Sequence, residues 1–169
     1  MSRLARAVLL TLLVIWPFAA HAQKDSVTIG QTLEPPTLDP TTGAAQAIRE
    51  VTYLNIYEGL LRIDRDGKLQ PLLAESWTVS PDNLTYTFRL RRGVKFHDGS
   101  DFDAADVKFT FERAMAPAST NAQKWIFAPI ARIETPDRYT VVITLKEPTG
   151  NFLYGLAWGD AVIFAPETV

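Results

Sequence analysis

The chain has 169 residues, 47% of them hydrophobic and 21% charged, with 17 Lys+Arg against 19 Asp+Glu and no cysteine. That length and balance fit one globular domain with a buried core, and they exclude the basic footprint that a nucleic-acid partner demands. Disulfides are excluded as well, so packing has to stabilise the fold.

The chain opens as a secretory signal: Arg3 and Arg6 form a positive start, Ala7–Ala20 carries no charge, and Ala20-His21-Ala22 fits an A-x-A cleavage site. A membrane anchor is the rival reading, but the uncharged run falls short of the ~18–20 apolar residues that span a bilayer. Residues 1–22 are therefore expected to be removed, leaving 23–169 as the folded part. With no cysteine there is no lipid-modified N-terminus either, and a soluble exported protein without an anchor is expected in a periplasm.

Gln23–Ser26 is expected to be a loose new N-terminus, and Val27–Gln31 reads as a first strand. Thr32–Pro40 holds three prolines, which remove backbone donors and force extended geometry on their predecessors. Ala44, Ile48, Val51 and Leu54 or Asn55 recur at helical spacing, so Ala44–Glu58 reads as a helix with Gly59 as its stop. Leu60–Ile63 and Lys68–Leu72 read as a hairpin around Asp64-Arg65-Asp66-Gly67. Asp64 and Asp66 resemble the opening of a calcium loop, and Glu75 stands twelfth from Asp64. Glycine is misplaced at Gly67, however, and only Gln70 offers a ligating side chain between them. The expectation is a structural turn and no metal site.

Leu73–Phe111 is the best-marked stretch. Pro81-Asp82-Asn83 is turn chemistry. Tyr86, Phe88 and Leu90 alternate with Thr85, Thr87, Arg89 and Arg91, the period of a half-buried strand, and Trp77 is expected on their apolar face. Gly93 interrupts the strand and Val94-Lys95-Phe96 resumes it. His97–Ser100 turns the chain, and Asp103 with Asp106 forms a capping box. Val107, Phe111, Ala114 and Met115 then define the buried face of a helix. Ala116–Lys124 reads as a loop, Arg132–Leu145 as a hairpin turning at Pro136-Asp137, Asn151 as the cap of a short helix, Ala161–Phe164 as a strand, and Ala165–Val169 as the opening of a helix.

The run AESW (74–77), SPDNLTYTFRLRRGVKFHDG (80–99) and F-x-A-x-DV-x-F-x-FER (102–113) strongly resembles the extracytoplasmic solute-binding proteins of the peptide/nickel ABC-transporter class (solute-binding protein family 5). The resemblance extends to EPPTLDP at Glu34–Pro40 and YEGLLRID-x-DGKLQPLLAESW at Tyr57–Trp77. It implies an α/β fold of the two-lobed periplasmic binding protein type (class II-like). Members are much longer, so these residues are expected to be part of the first lobe, truncated at its C-terminal end. It further implies a receptor that captures a peptide or similar small solute for an ABC permease complex in the inner membrane, monomeric at full length, with no cofactor. In that family the segment after the first strand lines the cleft mouth, which nominates Thr32, Leu33, Glu34 and Pro35; a rigid connector is the equal alternative. The region after the capped helix brings an aromatic to the cleft, which nominates Trp125 and Phe127, with the core as the other place for Phe127.

No catalytic residue is nominated. A secreted hydrolase would need a nucleophile with a placed base, and His97 is the single histidine beyond the signal. G-x-S-x-G and H-E-x-x-H are missing. A non-binding structural or interaction domain is the remaining alternative.

Overall fold

The computed structural model describes residues 26–43 and 45–168, so the signal segment and Gln23–Asp25 lie outside the described residues. The chain divides into two units, Met1–Thr32 and Leu33–Val169. In the first, residues 26–31 form no strand: no described strand pairs with them, and Val27 and Ile29 are 83% and 77% exposed. An extended segment becomes a strand only through ladder hydrogen bonds, and this one has none.

The second unit is built on a four-stranded antiparallel sheet. Its strands are β3 (Ala74–Val79), β4 (Thr85–Leu90), β5 (Ile130–Asp137) and β6 (Thr140–Leu145), ordered β3-β4-β6-β5. A separate hairpin precedes it, β1 (Leu61–Ile63) with β2 (Leu69–Pro71). The alternation in the sequence sets which face is buried. Tyr86, Phe88 and Leu90 on β4 and Val141, Ile143 and Leu145 on β6 are all 5% exposed or less. Phe88 pairs with Val141 on one side and with Trp77 on the other, which puts Trp77 against the core as expected. β3 itself lacks a sequence signature. As an edge strand it buries little beyond Ala74, and Glu75, Ser76, Thr78 and Val79 are exposed.

Helix α2 (Ala104–Met115) covers this face, packing on β5 and β6. Its capping box is formed as predicted: Ala105 N–H donates to Asp103 Oδ1 at 2.8 Å, and Asp103 N–H donates to Asp106 Oδ2 at 2.7 Å. Val107 and Phe111 are fully buried, each stabilising the helix by about 1.5–3 kcal/mol. Met115 sits at the rim, 37% exposed, and Thr110 occupies the buried stripe in its place.

Four expected elements differ. Helix α1 runs only from Gln46 to Thr52. Thr52 C=O then accepts from Ile56 and Tyr57 N–H, and Leu54 takes a φ of +62°. Tyr53 leaves the helix extended, its hydroxyl donating to Ala157 C=O at 2.7 Å. Gly59 is thus not a helix stop but a close approach: a Cβ there would stand 3.2 Å from Ala161 C=O. Val94–Phe96 forms one bridge, Lys95 to Asp101, in place of a strand. Ala161–Phe164 likewise bridges once, Val162 to Gly59, though it is buried throughout. Pro166–Thr168 is a single 3₁₀ turn.

The Asp64–Gly67 turn is structural. Asp64 Oδ1 accepts from Asp66 and Lys68 N–H, both at 2.9 Å, and Oδ2 accepts from Gln70 Nε2 at 2.7 Å. These donors, the Lys68 amide foremost, hold its carboxyl below the usual range. No helix among the described residues is long and apolar enough to cross a membrane.

Candidate functional site

The loop after α2 ends in a 3₁₀ turn at Lys124–Ile126, and this turn separates the two aromatic candidates. Phe127 points inward, 1% exposed, with its ring 5.3 Å from that of Phe111. Trp125 points outward and is 44% exposed. Its indole Nε1–H donates to Gln123 Oε1 at 2.6 Å, which fixes the ring.

Trp125 does not stand alone. Helix α3 (Phe152–Leu156) delivers Trp158 just past its end. The two indoles meet edge to face, 5.8 Å between centroids at 75°. Gly155 on α3 makes room for the turn, because a Cβ there would be 3.3 Å from Ile126 and 3.6 Å from the Trp125 ring. Trp158 is itself 41% exposed. Two large rings showing this much surface side by side form an aromatic wall, and such pairs gain about 0.5–1.5 kcal/mol beyond their area.

Beside the wall lies an ion pair that is buried on its aspartate side. Arg49 on α1 reaches Asp160, with Nη1 3.2 Å from Oδ2 and 3.4 Å from Oδ1. The Asp160 side chain is wholly buried while that of Arg49 is 22% exposed. Burial pushes the Asp160 carboxyl above its ordinary value, and Arg49 partly offsets that. The same guanidinium lies 5.6 Å from the Trp158 ring centroid, within cation–π range. Asn121 Nδ2 donates to Asp160 C=O at 3.1 Å and ties the loop after α2 to this point.

The proline-rich segment is anchored at its downstream end. Asp39 Oδ1 accepts from Thr41 N–H at 2.8 Å and from Thr41 Oγ1 at 2.7 Å. Arg113 Nη1 donates to Thr41 Oγ1, and Thr120 Oγ1 donates to Thr41 C=O, both at 3.3 Å. Upstream the side chains are open: Leu33 is 69% exposed, Glu34 is exposed and Pro35 is half-buried. These three share no hydrogen bond with Trp125 among the described residues. Thr32, which falls in the first unit, is exposed.

Two cavities open in the second unit. One of about 260 Å³ is lined by Thr41, Arg113, Asn121, Phe127 and Asp160 among others. A larger one of about 510 Å³ is mainly apolar, walled by Tyr57, Val94, Phe96, Phe102 and Phe164, with Lys95, His97 and Asp98 at its edge. None of the six nominated residues lines the larger one. His97 is exposed there, and the neighbouring Asp98 carboxyl is held low, chiefly by bonds from Ser100.

Sequence reasoning reached Trp125 but missed Trp158, Arg49 and Asp160. A Trp-Gly-Asp run after a short helix was the available signal, since an aspartate preceding five apolar residues is placed for burial.

Residues 68–165 match the family described as bacterial extracellular solute-binding proteins, family 5 Middle. The chain is similar to the glutathione-binding protein GsiB of Salmonella paratyphi A, 40% identical over 153 residues, 90% of this chain and 29% of that one. The Escherichia coli K12 GsiB is also 40% identical, over 151 residues. Among solved structures, the periplasmic binding protein AgaA of A. tumefaciens R10, in complex with agropinic acid, superposes with a TM-score of 0.74 at 40% identity, covering 79% of this chain and 27% of that one. NikZ of Campylobacter jejuni, in complex with Ni(L-His), superposes with a TM-score of 0.71 at 31% identity, covering 81% of this chain and 27% of that one. The chain spans about 29% of the length of the curated relatives it matches, and its α/β fold corresponds to part of the first lobe of these periplasmic binding proteins. It belongs to the bacterial extracellular solute-binding proteins of family 5.

Proposed function

We propose that these residues form one wall of the ligand cleft in a periplasmic solute receptor for an ABC importer, and that the solute is a short peptide or a comparable amino-acid derivative. One observation carries the reading: 40% identity to glutathione-binding proteins runs through 90% of the chain. The ligands named with its solved relatives point the same way, being an organic acid, the peptide STSA and a histidine complex. All of these ligands bear carboxyl groups.

The receptor works by closing two lobes around its solute, and the permease reads the closed form. The Trp125–Trp158 wall supplies apolar contact at small entropic cost, because a ring restricted by Gln123 and its neighbour has little freedom left to lose. Leu33, Glu34 and Pro35 line the mouth of the cleft, where Glu34 meets a solute ammonium through a charge-assisted bond. Phe127 packs against Phe111 in the core. The protein is a binding protein and not an enzyme, exported through the signal over residues 1–22 and monomeric at full length.

The test is calorimetry of the protein produced from its whole open reading frame against glutathione, dipeptides and tetrapeptides. Micromolar or tighter binding of at least one, weakened at least tenfold by Trp125→Ala, supports the reading. No binding across the panel, or binding indifferent to Trp125, overturns it.

A further inference from the structure

Among the described residues, one of the three Arg49 guanidinium nitrogens is used. Nη1 donates to Asp160, and neither Nε nor Nη2 has a hydrogen-bond partner among the described residues. No buried side-chain nitrogen or oxygen among those residues lacks a partner. The two free nitrogens of a side chain that is 22% exposed are therefore reachable from solvent. They belong to a guanidinium 5.6 Å from the Trp158 ring, which is itself in edge contact with Trp125.

We propose that Arg49 is a ligand-binding residue that takes a carboxylate of the solute on its free nitrogens, beside the Trp125–Trp158 wall. This rests on the wall being ligand-facing, as in the function proposed above. The chemistry suits the group: a guanidinium is charged at all accessible pH values, and its planar set of donors matches a carboxylate in two-point geometry. Two features hold it ready. Asp160 clamps one nitrogen from a fully buried position, and Gly159 leaves the space through which the side chain passes, 3.1 Å from where a Cβ would stand. A side chain with most of its rotamer freedom already removed loses little more on binding. The guanidinium itself fixes the sign of the selection, because its free edge carries donors and no acceptor. Asp160 neutralises Arg49 without using that edge, so an uncharged solute gains no salt bridge there and a carboxylate gains two donors.

The experiment compares peptides with free and amidated C-termini, and glutathione with its esters, by calorimetry on the protein from its whole reading frame. In the wild type the free acids bind more tightly. Arg49→Lys keeps the charge beside Asp160 and gives up the planar fork; Arg49→Gln combined with Asp160→Asn removes both charges together. Both variants should lose about 10- to 100-fold in affinity for the acids and leave the amides and esters unchanged, with tryptophan fluorescence and melting curves reporting that the wall is intact. If the variants bind the acids like the wild type, or lose acids and amides equally, Arg49 holds no carboxylate. Loss in the Arg49 variants without loss in Trp125→Ala keeps this inference and rejects the ligand-facing wall. A wild type that binds no acid in the panel rejects both.

Discussion

Gly159 leaves the space that Arg49 fills: a Cβ at position 159 would lie 3.1 Å from both Cγ and Cδ of Arg49 and 3.2 Å from Tyr53 Cβ. Tyr53 is held in place, because its hydroxyl donates to Ala157 C=O at 2.7 Å. Gly159→Ala should therefore displace Arg49 and destabilise the fold by about 1–3 kcal/mol, the usual cost of overpacking. Urea unfolding measures the loss, and a variant as stable as the wild type would contradict the packing described.

The Arg49–Asp160 pair is asymmetric in burial, so its two halves should not cost the same to remove. Arg49→Ala leaves a carboxylate stranded in a wholly buried place and should cost about 3–5 kcal/mol. Asp160→Asn leaves a guanidinium with solvent at hand and should cost less. The Arg49→Ala deficit should shrink as the pH falls, because an unpaired buried carboxyl takes up a proton more readily than its unfolded counterpart. Parallel denaturant curves at neutral and mildly acidic pH check both statements.

The two aromatics of the 3₁₀ turn give a cleaner separation of core from surface. Phe127→Ala should cost about 3–5 kcal/mol, since its ring is fully enclosed against Phe111. Trp125→Ala should cost below about 1 kcal/mol, in line with surface substitutions. Equal losses at the two positions would place Trp125 in the core.

Asp106 tests the electrostatics of the capping box. Its carboxyl is pushed up, first by burial and then by the neighbouring Asp103 charge, against the bond from the Asp103 amide. A carboxyl with a raised folded pKa binds more protons folded than unfolded, so its contribution to stability falls as the pH rises from the unfolded value of about 3.9 through the folded one. Asp106→Asn lacks this titration. Measured by urea unfolding between pH 4 and 7, the wild type should gain stability relative to the variant as the pH falls.

Much of the second unit is legible from sequence because local pattern and final environment agree. The alternation around Phe88, the Arg132–Leu145 hairpin and the Asp103/Asp106 box all depend on neighbours within a few residues, although the hairpin turns at Arg138-Tyr139 and Pro136-Asp137 belongs to β5. What escaped depends on distant ones. Helix α1 stops early because Tyr53 bonds Ala157, 104 residues away, and the Arg49–Asp160 pair joins residues 111 apart. β3 is an edge strand whose exposed side chains carry no alternation. Val27–Ile29 has strand composition, yet composition supplies no partner. For the candidate site, periodicity could flag Trp125 as conspicuous. It could not say that the turn would expose Trp125 and bury Phe127 two residues later.

The buried Ala161–Ala165 segment has a consequence during synthesis. Ile163 N–H donates to Glu58 C=O, Phe164 N–H donates to Thr110 Oγ1, and Val162 bridges Gly59. The segment therefore seats against residues made much earlier in synthesis, Glu58, Gly59 and Thr110. On the ribosome, the sheet and α2 emerge with Phe88 and Phe111 already made but with this closing piece still in the exit tunnel. The nascent chain must pass through that interval with part of its apolar interior open. A chain that cannot bury this interior early stays open to other contacts for longer during its synthesis.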